Sequence, residues 1–291
     1  MTVRRVGLIA KQGLTAAAPH LAAVSSWLHE RGIETIFEIQ TAALSELSNE
    51  PTLSRDQLIA QVDLLLVLGG DGTMLGTAAR VGEAGLPTPI LGVNFGRLGF
   101  LTEVTLEELY PALEAVLDGS APIRERRLLH ATTLRSGEAR AEHVVLNDVV
   151  VTRGEISRVV DLAVTVDGRF VTRVKADGII IATPTGSTAY NLAASGPIVH
   201  PDVDAILITP IAPHTLANRP IVIPGSATID VAPLDAGRAD VFATFDGQSG
   251  HRLESTDIVR ITQSTAAVRL VSSASRGYFD TLREKLGWGE R

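Results

Sequence analysis

A glycine-rich turn that carries one carboxylate follows an apolar run of the chain. Residues 64–68 are Leu-Leu-Leu-Val-Leu, residues 69–73 are Gly-Gly-Asp-Gly-Thr, and residues 74–76 are Met-Leu-Gly. This order predicts a buried strand, a tight turn and the start of a helix. Backbone N–H groups at such a turn attract anions, and glycines let a phosphate come close. The turn of Gly69, Gly70, Gly72 and Thr73 is therefore predicted to bind a phosphate or the edge of a nucleotide.

The turn matches neither of the two standard nucleotide motifs. Its glycines do not follow the Gly-x-Gly-x-x-Gly spacing, and it lacks the lysine of the Walker loop. Asp71 would repel a phosphate bound beside it, so its carboxylate fits a general base or a metal-linked group better than a phosphate ligand. The alternative is that Asp71 and Gly72 only form a turn and that Asp71 caps the next helix.

Two adjacent polar residues, Asn147 and Asp148, interrupt an apolar segment that is predicted to be a strand over residues 144–152. Neighbouring strand side chains face opposite ways, so at least one of the two points to the buried side. Burial of a polar group without a partner is costly. An amide and a carboxylate suit the two neighbouring hydroxyls of a ribose, while a turn or bulge in solvent is the alternative.

Hydroxyl side chains are concentrated in the segment 183–193, Thr-Pro-Thr-Gly-Ser-Thr-Ala-Tyr-Asn-Leu-Ala. It follows Lys175-Ala176-Asp177-Gly178 and a predicted strand. Four hydroxyls and the free N–H groups of a predicted helix start converge there, which indicates a nucleotide site. The alternative is that Ser187 or Thr188 only caps the helix.

The first 122 residues alternate between strand-like and helix-like segments, which predicts an α/β domain with a parallel sheet and crossover helices. Strands are expected at residues 6–10, 33–39, 64–68 and 89–93. Helices are expected around Trp27, near Leu58, from Met74 and over residues 106–117, where an Asp-Gly pair ends the last of them.

Beyond residue 122 the pattern changes to short β segments separated by turn signals. Asp167-Gly168 and Asp246-Gly247 predict hairpin turns. Together the segments predict a mostly β domain of two packed sheets, and the tail 276–288 predicts a helix that packs back on the first domain. The predicted domains are 1–122 with 272–291, and 123–271. Further strands are expected at residues 178–182, 205–209, 227–231, 240–245, 258–261 and 267–271.

Charge and composition exclude several classes of protein. There are 26 basic and 33 acidic residues, a net charge of −7, and neither sign forms a long run, so nucleic acid is not an expected partner. The absence of cysteine excludes disulfides and thiolate metal sites and suits a reducing cytosol. No apolar run is long enough for a membrane span or a signal peptide. We therefore expect a cytoplasmic protein.

The Gly-Gly-Asp-Gly-Thr turn is similar to the signature shared by NAD kinases, diacylglycerol-type lipid kinases and phosphofructokinases. Residues 92–102, Gly-Val-Asn-Phe-Gly-Arg-Leu-Gly-Phe-Leu-Thr, resemble the NAD kinase pattern, as do Asn147-Asp148 and residues 183–190. The segment 282–288 also resembles the NAD kinase pattern. The resemblance runs from Leu64 to Gln248. Asp148 stands where glutamate is commoner, and the segment before Leu64 carries no family motif.

The resemblance implies transfer of the γ-phosphoryl group of ATP, or of another nucleotide or polyphosphate, to the 2′-hydroxyl of the adenosine ribose of NAD, giving NADP. It implies Asp71 as the general base and a divalent ion, usually Mg²⁺, that is carried with the donor phosphates rather than by protein ligands. It also implies a homo-oligomer, either a dimer or a tetramer. The residues that it implies at the NAD site are Asp71, Gly72, Asn147, Asp148, Arg158, Lys175, Asp177, Thr188, Ala189, Tyr190, Asn191, Leu192, Ala193, Ala212 and Gln248.

The chain has only three lysines, Lys11, Lys175 and Lys285. Without the family context each would be interpreted as a solvated surface charge. The role of Lys175 at the NAD site therefore depends on the resemblance.

Two other functions stay open at this point. A lipid or sphingoid-base kinase shares the glycine turn, but the Asn147-Asp148 pair and the lack of a basic amphipathic segment argue against it. A non-catalytic NAD(P)-binding regulatory protein is the other. The presence of Asp71 favours catalysis, because a protein that only binds the dinucleotide gains nothing from that carboxylate.

Overall fold

The structure, a computed structural model, describes residues 2–44, 50–96, 98–154, 159–215, 217–234 and 240–288. It divides into two compact units. The first comprises Met1–Glu125 together with Val268–Arg291, and the second comprises Arg126–Ala267. The limits expected for two separate domains, 1–122 with 272–291 and 123–271, stay a prediction.

Six strands lie wholly within the described residues of the first unit: β1 (Arg5–Ala10), β2 (Glu34–Glu38), β3 (Thr52–Leu53), β4 (Leu64–Gly69), β5 (Ile90–Asn94) and β6 (Val104–Thr105). They form a parallel sheet in the order β5-β4-β1-β2-β3, and β6 pairs with the end of β5. Every residue of β4 and β5 is buried, as expected for strands of a parallel sheet that is covered on both faces. The predicted parallel sheet is confirmed.

Seven α-helices are described, and all except the sixth belong to the first unit. They are α1 (Ala18–His29), α2 (Ile39–Ala42), α3 (Arg55–Ile59), α4 (Asp71–Glu83), α5 (Leu109–Asp118), α6 (Tyr190–Ala193) and α7 (Tyr278–Leu286). The predicted stop of α5 is confirmed, because Gly119 adopts the left-handed conformation with φ 81°. Helix α4 begins at Asp71, before the predicted Met74, because Gly70 is already its extended N-terminal cap. No helix of the described residues has the length and apolar character to cross a bilayer.

The second unit is built mainly from strands β8 to β17, and β7 and β18 run through its limits. The strands are β7 (Ile123–Arg135), β8 (Glu138–Val145), β9 (Asp148–Arg153), β10 (Val160–Val166), β11 (Arg169–Ala176), β12 (Gly178–Ala182), β13 (Ala205–Ile211), β14 (Ile221–Pro224), β15 (Ile229–Pro233), β16 (Val241–Phe245), β17 (Ser249–Leu253) and β18 (Asp257–Val271). The last residues of β18, Leu270 and Val271, belong to the first unit and pair there in parallel with β5.

Two antiparallel sheets enclose the core of the second unit. One has the order β14-β13-β12-β9-β16-β17, and the other has the order β11-β10-β15-β18 with the hairpin β7–β8 beside β18. The buried cluster between them takes Val149, Ile179 and Phe245 from the first sheet and Leu162 and Val259 from the second. The predicted two-sheet domain is confirmed, as is the hairpin at Asp167-Gly168, where both residues have positive φ.

Some predicted strands were wrong in extent. The strand expected over residues 144–152 is two strands, β8 and β9, separated at Leu146 and Asn147. The two strands expected at residues 258–261 and 267–271 are one continuous β18. Strands β3, β6, β7, β14 and β17 were missed. In β7 and β17, arginine and histidine residues interrupt the alternation of apolar and polar residues by which a strand is predicted.

Candidate active site

The glycine turn lies at the junction of β4 and α4 and is open on one side. Nothing lies within 4 Å of the position that a β-carbon would take on Gly70 or on Gly72. A β-carbon on Gly69 would instead meet the Thr73 Oγ1 at 2.8 Å, so this glycine is required for the close packing of the turn. The space in front of Gly70 and Gly72 and the free N–H groups of the first turn of α4 suit a bound anion.

The carboxylate of Asp71 joins this turn to the loop that follows β5. Its Oδ2 accepts a hydrogen bond from the Phe100 N–H at 2.8 Å, and its Oδ1 accepts from the N–H groups of Leu101 and Thr102, both at 3.1 Å, and from the Thr102 Oγ1 at 3.0 Å. The N-cap of α4 is Gly70, and Asp71, the first residue of the helix, directs its carboxylate to residues 100–102 instead. The alternative interpretation of Asp71 as a cap of α4 was therefore wrong.

The four hydrogen bonds to Asp71 are divided unequally between its two oxygens. Three donors approach Oδ1 and one approaches Oδ2. A carboxylate has about four acceptor sites, two on each oxygen. Oδ2 therefore keeps an acceptor site for a ligand hydroxyl, while Oδ1 fixes the direction of the carboxylate.

The loop after β5 requires a glycine at position 99. A β-carbon on Gly99 would lie 1.9 Å from the Asp71 Oδ1 and 2.3 Å from the Thr102 Oγ1, so no other residue fits without moving the carboxylate. Asn94 supports the same loop, because its Nδ2 donates to the Thr102 Oγ1 at 2.9 Å and its Oδ1 accepts from the Gly96 N–H. The segment 92–102 is thus the second half of the Asp71 site.

A cavity of about 390 Å³ opens in front of the glycine turn. It is lined by the turn, by the loop after β5 and by two lysines, Lys11 and Lys285. Two of the three lysines of the chain therefore face one cavity, and no sequence motif assigned a function to either of them. The scarcity of lysine was the only feature of the sequence that marked these two residues. Lys11 follows β1 and Lys285 lies on α7, so their positions along the chain gave no sign that they lie at one cavity.

In the second unit, Asp246 holds the segment that precedes β9. Its Oδ2 accepts from the Leu146 N–H at 2.8 Å, and its Oδ1 accepts from the N–H groups of Asn147 at 2.7 Å and Asp148 at 3.0 Å. Because these N–H groups donate to Asp246, they are not available to pair with a neighbouring strand. The predicted strand over residues 144–152 is therefore interrupted there. The turn at Asp246-Gly247 was predicted correctly, but the role of its carboxylate was missed.

Asp148 is a nearly buried carboxyl group, with 5% of its surface exposed. No hydrogen-bond partner of its side chain occurs among the described residues. Burial raises the pKa of Asp148 to about 7, and the nearby charge of Asp246 adds to the effect. Burial also raises the pKa of Asp246, but its three backbone N–H donors oppose this. We infer that Asp246 ionises first and that Asp148 keeps its proton to near-neutral pH.

This difference predicts a pH-dependent stability. Since the pKa of Asp148 is raised from 3.8 to about 7, the folded chain binds this proton more tightly than the unfolded chain does. The resulting stabilisation is complete below the pKa of Asp148 in the unfolded chain, and it is lost as the pH rises through the pKa of Asp148 in the folded chain. Relative to Asp148→Asn, the wild-type free energy of unfolding should fall by about 2–4 kcal/mol between about pH 4 and about pH 8.

Urea unfolding over a series of pH values measures this difference. Asp56→Asn, which changes an exposed carboxylate, serves as the control and should keep the wild-type pH dependence. If the curves for Asp148→Asn and wild type run parallel over the whole range, Asp148 does not titrate in the way proposed.

The hydroxyl-rich segment 183–193 packs directly on the Asn147-Asp148 segment. The Thr183 Oγ1 donates to the Leu146 carbonyl at 2.6 Å and accepts from the Gly186 N–H at 2.9 Å. A β-carbon on Gly186 would lie 2.1 Å from the Asn147 carbonyl oxygen. The two motifs that were recognised separately in the sequence are therefore one packed structure.

Several polar side chains of this segment are used inside the chain. The Ser187 Oγ donates to the Val199 carbonyl, and the Asn191 Nδ2 donates to the carbonyls of Ser187 and Pro197. The Asn191 Oδ1 also accepts from the Thr209 Oγ1. The expectation that all four hydroxyls converge on a ligand was wrong for Thr183 and Ser187, because both are buried and bonded to the backbone.

The more accessible residues of the segment begin at its fourth hydroxyl residue, Thr188. Thr188, Ala189 and Leu192 are half-buried, and Ala193 is exposed, as is Tyr190 with 45% of its surface accessible. The segment forms a 3-10 helix (Thr185–Thr188) followed by α6, so the predicted helix is a single α-turn. Thr188, Ala189, Tyr190, Leu192 and Ala193 are accessible to solvent. The buried Ser187 and Asn191 hold the backbone of the segment through hydrogen bonds.

The remaining candidates are distributed over the strands of the second unit. The exposed Lys175 on β11 lies 4.0 Å from Asp161, and Asp177, which links β11 to β12, accepts from the Arg153 Nε at 2.8 Å. Ala212 follows β13 with φ 45°, and Gln248 lies exposed beside the turn after β16. Arg158 lies outside the described residues. Among those residues, no group of three or more histidine or acidic side chains could hold a metal ion.

Comparison with known proteins defines the class. Residues 6–121 match the family model of the ATP-NAD kinase N-terminal domain, and residues 146–273 match that of the C-terminal domain. The fold and the glycine-turn site thus define a phosphotransferase with an alcohol group as acceptor. The resemblance found in the sequence is confirmed: the chain belongs to the NAD kinase family.

Individual relatives agree with this assignment. The chain is 49% identical over 265 residues to an NAD kinase from Geotalea daltonii, covering 91% of this chain and 92% of the relative. It is 44% identical over 295 residues to an NAD kinase from Citrifermentans bemidjiense, covering 99% and 100%. The crystal structure of yeast NADH kinase complexed with NADH superposes with a TM-score of 0.90 at 28% identity, covering 100% of this chain and 89% of that one. An NAD kinase from Archaeoglobus fulgidus in complex with ATP has the same fold, with a TM-score of 0.76 at 24% identity, covering 96% and 99%.

Proposed function

We propose that this enzyme transfers the γ-phosphoryl group of ATP to the 2′-hydroxyl of the adenosine ribose of NAD and that Asp71 is the general base. The observation that carries the proposal is the carboxylate of Asp71, which is fixed at the mouth of the cavity with an acceptor site of Oδ2 still available. Membership of the NAD kinase family supplies the reaction, and this geometry supplies a group able to assist it.

The reaction needs positioning and charge neutralisation more than covalent chemistry from the protein. The Asp71 Oδ2 takes the proton of the 2′-hydroxyl as its oxygen attacks the γ-phosphorus. The N–H groups at Gly70, Gly72 and the start of α4 bind the donor phosphates, where Thr73 lies at the edge of the same turn. The ADP that leaves keeps the bonding electrons of the broken P–O bond.

A divalent ion, Mg²⁺ in most phosphotransferases of this kind, would neutralise the donor phosphates and orient the γ-phosphoryl group when bound. Asp71 and the glycine turn fit an ion that is held mainly by the phosphates of the nucleotide, since Asp71 is the one carboxylate among the residues described at the cavity. We propose that the chain supplies no complete metal-ligand set of its own.

The second unit is proposed to bind the dinucleotide. Asn147 and Asp148 would hold the adenosine part of NAD, since Asp246 fixes their backbone while the Asp148 carboxyl keeps its hydrogen-bonding capacity. The yeast relative in complex with NADH supports a dinucleotide as the ligand of this fold. Further contacts are proposed for Arg158, Lys175, Asp177, Thr188, Ala189, Tyr190, Leu192, Ala193, Ala212 and Gln248, and the buried Asn191 would hold the backbone of their segment in place.

The assay that tests this function combines purified protein, ATP, Mg²⁺ and NAD, and detects NADP with a dehydrogenase specific for it. NADP should form only when all components are present. Parallel reactions with polyphosphate in place of ATP, and with NADH or diacylglycerol in place of NAD, define the donor and the acceptor. Binding of NAD without any phosphorylated product would instead identify a regulatory dinucleotide-binding protein.

A homo-oligomeric state, which follows from the family resemblance, and a cytoplasmic location, which follows from the absence of cysteine and of a long apolar run, are also part of the proposal. Sedimentation analysis of the purified protein should show a dimer or a tetramer. Fractionation of cells that express the chain should recover it with cytoplasmic markers.

A further inference from the structure

Helix α7 places Lys285 over the cavity in front of the glycine turn. Leu282 of this helix is buried, with 3% of its surface exposed, and Lys285 lies three residues further on, on the same side of the helix. Gly287 ends the helix in the left-handed conformation. The last helix of the chain is therefore anchored in the first unit, and its lysine reaches the lining of the cavity.

Lys285 is also connected to the residues that hold the proposed base. Its Nζ lies 5.6 Å from the centre of the Phe100 ring, within the range of a cation–π interaction. The backbone N–H of the same Phe100 donates to the Asp71 Oδ2. One residue of the loop thus orients both the carboxylate and the ammonium group.

The net charge of the residues that line this cavity is opposite in sign to the net charge of the whole chain. Its charged lining residues are Lys11, Lys285 and Asp71, so two positive charges and one negative charge give a local charge of +1. The chain as a whole carries −7. In the part that the structure describes, neither ammonium group forms an ion pair, whereas Arg283 on the same helix pairs with Asp280.

We propose that Lys285 binds the phosphoryl donor: its ammonium group, together with that of Lys11, contacts the polyphosphate chain of the nucleotide in this cavity. This inference rests on the proposed function and names a residue that neither the glycine turn nor the sequence motifs assign to the donor. A lysine is a mobile point charge that suits phosphate oxygens, and an exposed ammonium group gives up little hydration until the donor arrives. The C-terminal helix is then part of the donor site.

Steady-state kinetics of Lys285→Gln test the inference. The KM for ATP should rise about 10-fold, as expected for one lost charge-assisted contact, while the KM for NAD changes less than about 2-fold. Lys285→Arg should recover most of the ATP affinity because it keeps the charge. Arg283→Gln removes the same charge from the same helix but does not line the cavity, and it should behave as wild type. Lys11→Gln should resemble Lys285→Gln.

Calorimetric titration of each protein with Mg-ATP separates this inference from the proposed function. Weaker ATP binding by Lys285→Gln in a protein that makes no NADP would support the donor site and refute the kinase reaction. Normal NADP formation with an unchanged KM for ATP would refute the role of Lys285 alone. An equal rise in the KM values for ATP and NAD would also overturn it, because it would indicate a general change in the site.

Discussion

Replacing Asp71 with asparagine is expected to lower the kcat of NADP formation by about 10²- to 10⁴-fold, the contribution of a positioned general base. The amide cannot take the proton of the ribose hydroxyl. Steady-state kinetics with saturating ATP and NAD measure the loss. Asp56→Asn, a change of an exposed carboxylate in the same unit, is the matched control and should keep the wild-type kcat.

The structure adds a second consequence of this substitution. An amide oxygen can replace only one of the two carboxylate oxygens, so the NH₂ group of the asparagine would face a backbone donor, either of Phe100 or of Thr102. Some disturbance of the loop is therefore expected in addition to the loss of the base. Calorimetric titration with Mg-ATP separates the two effects, because loss of the base alone leaves ATP binding unchanged.

Gly99→Ala offers an independent test of the position of Asp71. Its new methyl group would occupy the place of the Asp71 Oδ1 and would displace the carboxylate without removing it. We expect kcat to fall in this variant as well. A wild-type kcat in Asp71→Asn would remove Asp71 from the mechanism, and a wild-type kcat in Gly99→Ala alone would show that its direction is not critical.

Gly186→Ala is expected to destabilise the second unit by about 3 kcal/mol or more and to abolish NAD binding. The added β-carbon would lie 2.1 Å from the Asn147 carbonyl oxygen, 2.5 Å from its carbon and 2.7 Å from the Asn147 Cα. All three atoms belong to the backbone, so no side-chain rotation can relieve the clash. The proposed dinucleotide-binding segments would have to separate.

Urea unfolding followed by circular dichroism measures the stability, and calorimetric titration measures NAD binding. The control is Gly137→Ala, where nothing surrounds the added methyl group and only the positive φ of 86° opposes it. That variant should lose about 1 kcal/mol and bind NAD normally. Equal stability losses in the two variants, or tight NAD binding by Gly186→Ala, would contradict the proposed packing of the two motifs.

Local patterns in the sequence were enough to predict much of the fold. The apolar run of β4 followed by glycines predicted a buried strand and a turn, and Asp167-Gly168 predicted the hairpin between β10 and β11. Both depend on interactions between residues that are close in the chain: burial of consecutive side chains, and backbone conformations that glycine and aspartate adopt easily. The strand over residues 144–152 failed because Asp246, about 100 residues away, takes its backbone donors.

The same distinction separates what was known of the site before and after the structure. Motif residues such as Asp71, Asn147-Asp148 and the segment 183–193 could be recognised in the sequence because their types and spacing are local properties. The hydrogen bonds of Asp71 to the loop after β5, the contact of Gly186 with Asn147, and the arrival of Lys11 and Lys285 at one cavity could not. Each joins segments that only chain folding brings together, and no spacing along the chain encodes which distant donor, carbonyl or charge will lie opposite a given side chain.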